Sequence, residues 1–140
     1  MFEQNYLLGA LSSACDSFYL TVIRLAHRLR DMQTLPYIVV MNHSLSHVYD
    51  LYYHAFEKFR KVSPIRSIDD NDRFCDVIRG TLKEHLSVIP KLVTGVIEVQ
   101  DYISPATMDK FVTSMLRSVR HVCLDCGYTE LTIQSGSPDG

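Results

Sequence analysis

Tryptophan is absent, and glycine is scarce, with six residues in 140. A phosphate-holding turn needs backbone N–H groups exposed at closely spaced glycines. No two glycines here stand in a G-x-G spacing, and no G-x-x-x-x-G-K-S/T run occurs. No nucleotide site of a familiar loop type is therefore visible, and no nucleophile stands beside a base at a local spacing. Long hydrophobic runs are also missing: nothing approaches the roughly 18 uninterrupted apolar residues of a membrane span. The apolar segment Val88–Val99 contains Pro90, Lys91 and Glu98 and reads as a core helix. Excess positive charge is lacking too. The net charge of −2 gives no electrostatic reason to expect nucleic acid. The first residues, Met1-Phe2-Glu3-Gln4-Asn5, carry an acid and no arginine, so neither a signal peptide nor a transit peptide is visible. Four cysteines (Cys15, Cys75, Cys123 and Cys126) suit a reduced, intracellular protein.

What is present is helical periodicity on a 46% hydrophobic background, enough for a single core. Four main helices are expected. The first, about residues 18–33, carries Val22, Ala26, Leu29 and Met32, and Leu35-Pro36 stops it, because the residue before proline is pushed out of the α region. After a short apolar crossing, Tyr37–Met41, Asn42 or Ser44 can cap a second helix with the stripe Leu45, Val48, Tyr52, Ala55, Phe56 and Phe59. Asp69, Asp70, Asn71 and Asp72 mark the start of a third, since acid there meets the positive end of the helix dipole. That helix is expected to run over about 70–102, with the stripe Phe74, Ile78, Leu82, His85, Ile89, Leu92, Val96, Val99 and Ile103. Pro90 is expected to kink it rather than end it. Ser104-Pro105 opens the last helix as cap and first residue. Its inner face is Met108, Phe111, Met115, Ser118 and Val122. Four amphipathic helices joined by short loops predict an all-α, four-helix-bundle-like fold. The tail from Gly127, rich in glycine, serine and proline, is expected to be disordered.

His85 is the most informative polar residue, because it lies on the apolar stripe of the long helix and its ring should point into the bundle. One reading is a core histidine satisfied by a hydrogen bond. The sharper reading is a ligand-sensing histidine. Tyr52 and Ser118 fall on the inner stripes of two other helices, so three polar groups could line a pocket between helices. His43 and His47 are one turn apart but lack a third metal ligand. His121, Cys123 and Cys126 make half a zinc site with no second half. Asp69–Asp72 lacks the glycine and distal glutamate of a calcium loop. No metal site is assigned.

The run Ile23-Arg24-Leu25-Ala26-His27-Arg28, followed by Leu35-Pro36-Tyr37, resembles the start of the helical domain shared by pyruvate dehydrogenase kinases and branched-chain 2-oxoacid dehydrogenase kinases. Leu51-Tyr52-Tyr53-His54-Ala55-Phe56 continues it in register. So do Leu82-Lys83-Glu84-His85-Leu86-Ser87-Val88-Ile89-Pro90, Gly95-Val96-Ile97-Glu98, Asp109-Lys110-Phe111 and Met115-Leu116-Arg117-Ser118. The resemblance covers about Ile23–Ser118 and implies a mitochondrial matrix location. It implies a family of dimeric, two-domain protein serine/threonine kinases. These inactivate the E1 component of 2-oxoacid dehydrogenase complexes. In them the helical domain helps dock on the E2 lipoyl domain and holds an inhibitor pocket, while a separate α/β domain binds ATP and magnesium and carries the catalytic glutamate. The resemblance places Tyr52, His85 and Ser118 at that ligand pocket. It gives this chain no catalytic residue and no cofactor of its own.

The family pattern then departs. It has arginines close to Arg-Ile-Ser-x-Arg, the first pairing with acidic inhibitors, where this chain has Val119 and, near the second, Cys123. Val119-Arg120 can be encoded as a splice donor, and Ser135–Gly140 can be recoded in another frame as Arg-Ile-Ser-Arg-Arg, so Val119 onward reads as a retained intron. The expected division is a divergent segment 1–20, a helical bundle domain 21–118, and a divergent tail 119–140. The expected protein is a truncated kinase homologue, inactive alone. The alternative is a small helical binding module for a lipoyl domain or a small carboxylate. Apolar stripes left wet by truncation, at about 25 cal/mol per Å2, predict marginal folding or self-association.

Overall fold

The structure, a computed structural model, describes residues 2–117, with side-chain surroundings described at Asp16 and from Phe18 onward. The described residues are helical and contain no strand, so the all-α expectation holds. The helices are α1 (Phe2–Gln33), α2 (Tyr37–Val40), α3 (His43–Arg60), α4 (Ile68–His85) and α5 (Val88–Val99). A 3-10 turn, Gln100–Tyr102, leads from α5 to α6, residues 105–117. No helix among the described residues is long and apolar enough to cross a membrane.

α1 starts at Phe2, well before the expected residue 18. No proline stands before Pro36, so nothing in the backbone chemistry stops the helix earlier. It buries Thr21, Leu25, Leu29 and Met32, while Val22 and Ala26 are only half-buried. α3 is the central helix and packs on α1, α4 and α5. Its core face is Leu45, Val48, Tyr52, Ala55 and Phe59, as the periodicity predicts, with Phe56 half-buried. Asn42 is its cap: Oδ1 accepts from the N–H groups of Ser44 at 3.0 Å and Leu45 at 3.1 Å. The Asn42 amide also donates to Glu98 Oε2 at 2.7 Å, which ties the start of α3 to the end of α5.

α4 begins with a capping box. Ser67 Oγ accepts from the Asp70 N–H, and the Asp70 carboxylate accepts from the N–H groups of Ser67 and Arg66. The Ser67 hydroxyl beside the carboxylate, and then the N–H groups of Arg66 and Ser67 that it accepts from, hold the Asp70 carboxyl below its ordinary pKa. Ser67→Ala is expected to cost about 1 kcal/mol in urea unfolding. Asp70→Ala should add little to it in the double variant, because the two side chains serve one motif.

The long helix expected over 70–102 is divided, which corrects the expectation that Pro90 only kinks it. α4 ends at His85 and α5 begins at Val88, although Leu86 and Ser87 keep α-region backbone. Pro90 has no N–H to give the Leu86 carbonyl, and its ring crowds that carbonyl. Ser87 Oγ donates instead to the Glu84 carbonyl at 2.8 Å. The buried face across the break is Phe74, Cys75, Ile78, Thr81, His85, Val88, Leu92, Gly95 and Val99. Thr81, Val88 and Gly95 thus occupy the core side where Leu82, Ile89 and Val96 were expected. Leu82 and Val96 are half-buried, and Ile89 faces water.

α6 is capped by Ser104, whose Oγ accepts from the Thr107 N–H at 3.3 Å, with Pro105 at the first helical position. It buries Phe111 and Met115. Arg28 on α1 donates to the Ser114 carbonyl at 2.9 Å and pairs with Asp31 at 3.2 Å, and Ser114 Oγ donates to Asp31 at 3.0 Å. This network fixes α6 to α1. The expected inner-face residues Ser118 and Val122 lie outside the described residues.

Candidate functional site

Tyr52 and His85 come together in the interior. α3 carries Tyr52 at its middle, and α4 carries His85 at its last residue, just before the break. Their ring centroids are 5.0 Å apart at 73°, an edge-to-face contact. Tyr52 is 0% exposed and His85 2%. The spacing that puts His85 on the stripe does predict its burial, and the structure places it against the predicted Tyr52. Ser118, the third residue expected there, lies outside the described residues, as do His121, Cys123 and Cys126.

Thr81 is the buried polar neighbour that sequence reasoning misses. It sits one turn before His85 and is 1% exposed. Its carbonyl accepts from His85 Nδ1 at 3.0 Å. That bond fixes the neutral ring with its proton on Nδ1 and leaves Nε2 as a buried acceptor. Neither Nε2 nor Thr81 Oγ1 has a hydrogen-bond partner among the described residues. The signal for Thr81 was its i−4 relation to an interior histidine, but threonine on an amphipathic helix is weak as a core marker.

Burial pushes His85 below its ordinary pKa; its bond to Thr81 and nearby Glu84 act the other way, and Lys58 reinforces the lowering. A buried neutral imidazole is therefore favoured. The folded state binds this proton less readily than the unfolded chain, so the stabilisation is present above the unfolded pKa near 6.5 and fades as pH falls below it. The melting temperature is expected to drop between pH 7.5 and 5.5. His85→Phe should flatten that part of the curve; an unchanged slope would mean other groups set it.

Chemically, the neutral pair suits a ligand that brings a donor, and a protonated His85 suits a carboxylate. His43 and His47 are exposed at the start of α3, and no group of three or more metal-ligating side chains gathers among the described residues. Asp69 and Asp72 are exposed, and Asp70 serves the capping box. A separate depression between the end of α3 and the start of α4 is lined by Val62, Ser63, Asp70, Arg73 and Val77.

A family profile described as mitochondrial branched-chain alpha-ketoacid dehydrogenase kinase matches residues 3–120. The match reaches well ahead of Ile23, where the motif resemblance starts. The chain is 34% identical over 119 residues to pyruvate dehydrogenase (acetyl-transferring) kinase 2, mitochondrial, of Saccharomyces cerevisiae, covering 77% of this chain and 24% of the relative. It is 27% identical over 88 residues to the mitochondrial pyruvate dehydrogenase (acetyl-transferring) kinase of Arabidopsis thaliana, covering 63% of this chain and 24% of the relative. The chain therefore spans about a quarter of the length of these relatives.

Proposed function

Because the chain belongs to the mitochondrial branched-chain alpha-ketoacid dehydrogenase kinase family, we propose that it provides the helical, ligand-sensing part of a regulator of a mitochondrial 2-oxoacid dehydrogenase complex. In this reading the bundle docks on an E2 lipoyl domain in the matrix and senses a small 2-oxoacid at Tyr52 and His85. In the same reading, magnesium-dependent transfer of phosphate from ATP to E1 is not performed by these 140 residues alone. The observation that carries the sensing role is the sealed Tyr52–His85 pair, with Nε2 and Thr81 Oγ1 turned inward without partners among the described residues. Buried polar atoms in that condition are costly, and a ligand that meets them recovers the cost. The absence of closely spaced glycines in the sequence supports the second half of the reading.

A carboxylate that meets Nε2 favours the charged imidazole, so binding must draw a proton into the site at neutral pH. Calorimetry of the purified chain with pyruvate and with branched-chain 2-oxoacids should show heats that change with the ionisation enthalpy of the buffer, and His85→Phe should abolish the response. The stronger of the two responses assigns the substrate complex. Titration with isolated lipoyl domain tests docking. No heat with either class of ligand removes the sensing and docking roles. Phosphorylation of E1 by the purified chain removes the non-catalytic one.

A further inference from the structure

Tyr52 and His85 are both buried, so anything that reaches them must first move a helix. The end of α4 is the part least held by its own backbone. α4 stops at His85, and Pro90 has no N–H to give the Leu86 carbonyl. The Ser87 N–H reaches only three residues back, to the Glu84 carbonyl at 3.4 Å. Local opening favours segments whose backbone bonds are few or long.

Side chains make up for this. Two ring contacts join α4 to α3: Phe59–Phe74 towards the start of α4, and Tyr52–His85 at its end. A third tie is ionic. Lys58 on α3 donates from Nζ to Glu84 Oε1 at 2.6 Å. The pairs Arg28–Asp31, Arg60–Glu57, Lys61–Glu57 and Arg79–Asp76 each link residues three or four apart, whereas Lys58–Glu84 links two helices. Its anchor on α4 is the residue just before His85.

We propose that Lys58 is a positioning residue for His85: through Glu84 it clamps the last turn of α4 to α3, keeps the imidazole edge-on to Tyr52, and is the tie that yields when the site opens. The two side chains are 44% and 42% exposed, so water screens the pair. A screened pair is strong enough to bias a local opening severalfold and too weak to decide whether the bundle folds. That strength suits a clamp that must release. The clamp rests on the burial of His85 and not on the sensing role; where that role holds, the same opening is the ligand's way in.

Acylation of the full chain by diethyl pyrocarbonate, read residue by residue by mass spectrometry, tests the clamp without any ligand. The reagent takes the unprotonated imidazole nitrogen, so a sealed His85 reacts only through the opening, while the exposed His43 and His47 serve as references. Lys58→Met and Glu84→Gln should each speed His85 acylation roughly two- to fivefold, with the references unchanged. Lys58→Arg should keep the original rate, and adding Glu84→Lys to Lys58→Glu should restore it. Ser67→Ala weakens the other end of α4 and should leave His85 unreactive. Titration of the imidazole by NMR separates the clamp from the charge. After burial and the Thr81 bond, Glu84 raises the His85 pKa and Lys58 lowers it. Lys58→Met should therefore move the titration up and Glu84→Gln move it down, although both speed acylation. Unchanged acylation in both variants, changes of opposite sign that follow the charge, failure of the charge swap to rescue, or equal acceleration by Ser67→Ala would overturn the proposal.

Discussion

Gly95→Val is expected to destabilise the fold by about 2–4 kcal/mol, read as a lower urea midpoint, while Gly80→Ala raises it by about 1 kcal/mol. The two glycines are both helical and differ only in what surrounds them. A Cβ on Gly95 would stand 2.6 Å from Leu45 Cγ, 2.8 Å from Leu45 Cδ2 and 3.2 Å from Asn42 Oδ1. Leu45 is 1% exposed and has no room to swing away. A side chain at 95 must therefore push α5 off α3. The same push reaches Asn42 Oδ1, which caps α3, and the Asn42–Glu98 bond that ties the two helices. Gly95→Ala falls between: its better helix propensity offsets part of the clash, leaving a net loss of about 1 kcal/mol. At Gly80 a Cβ meets nothing within 4 Å, so alanine contributes only its propensity. Equal effects at the two positions would show that α3 and α5 are not in close contact.

Gly95 also shows why the sequence reveals the bundle more readily than its contacts. The α3 stripe, Leu45 to Phe59, is legible because its buried positions are all apolar and evenly stepped. Across α4 and α5 two sets of positions satisfy helical spacing equally well. Apolarity alone picks Leu82, Ile89 and Val96, whereas the core takes Thr81, Val88 and Gly95. Close helix approach rewards a small residue, and a threonine can be buried beside a histidine that uses its carbonyl; neither appears as hydrophobicity. The break at Leu86–Ser87 was half visible in Pro90, whose missing N–H names the weak carbonyl without saying how far the helix yields. For the site, His85 and Tyr52 could be found from their stripes. The hydrogen bond that sets the imidazole tautomer could not, because it goes to a backbone carbonyl that every residue has. The Arg28–Asp31–Ser114 network joins residues more than 80 positions apart, so no local pattern announces it.

Phe74→Ala is expected to cost about 3–5 kcal/mol, a large share of the 5–15 kcal/mol that holds a typical domain folded. Phe74 is 0% exposed and meets two other rings edge-on: Phe18 of α1 at 5.5 Å and 77°, and Phe59 of α3 at 6.1 Å and 70°. One side chain thus joins three helices, and its removal leaves a cavity that no single helix can close by moving. Phe74→Leu keeps most of the volume and loses the two edge contacts, worth roughly 0.5–1.5 kcal/mol each, so it should fall well short of alanine. In a double-variant cycle, Phe18→Leu with Phe74→Leu should show a coupling that Phe18→Leu with Leu92→Ala does not, since Leu92 lies on α5. The consequence reaches the site, because α4 also carries His85 at its far end. If α4 moves as one body, Phe74→Leu loosens the histidine's seat, and the pH dependence of melting shifts with the urea midpoint. If the midpoint falls while the His85-linked slope stays intact, the two ends of α4 are held independently, and the Tyr52–His85 contact anchors its own half of the helix.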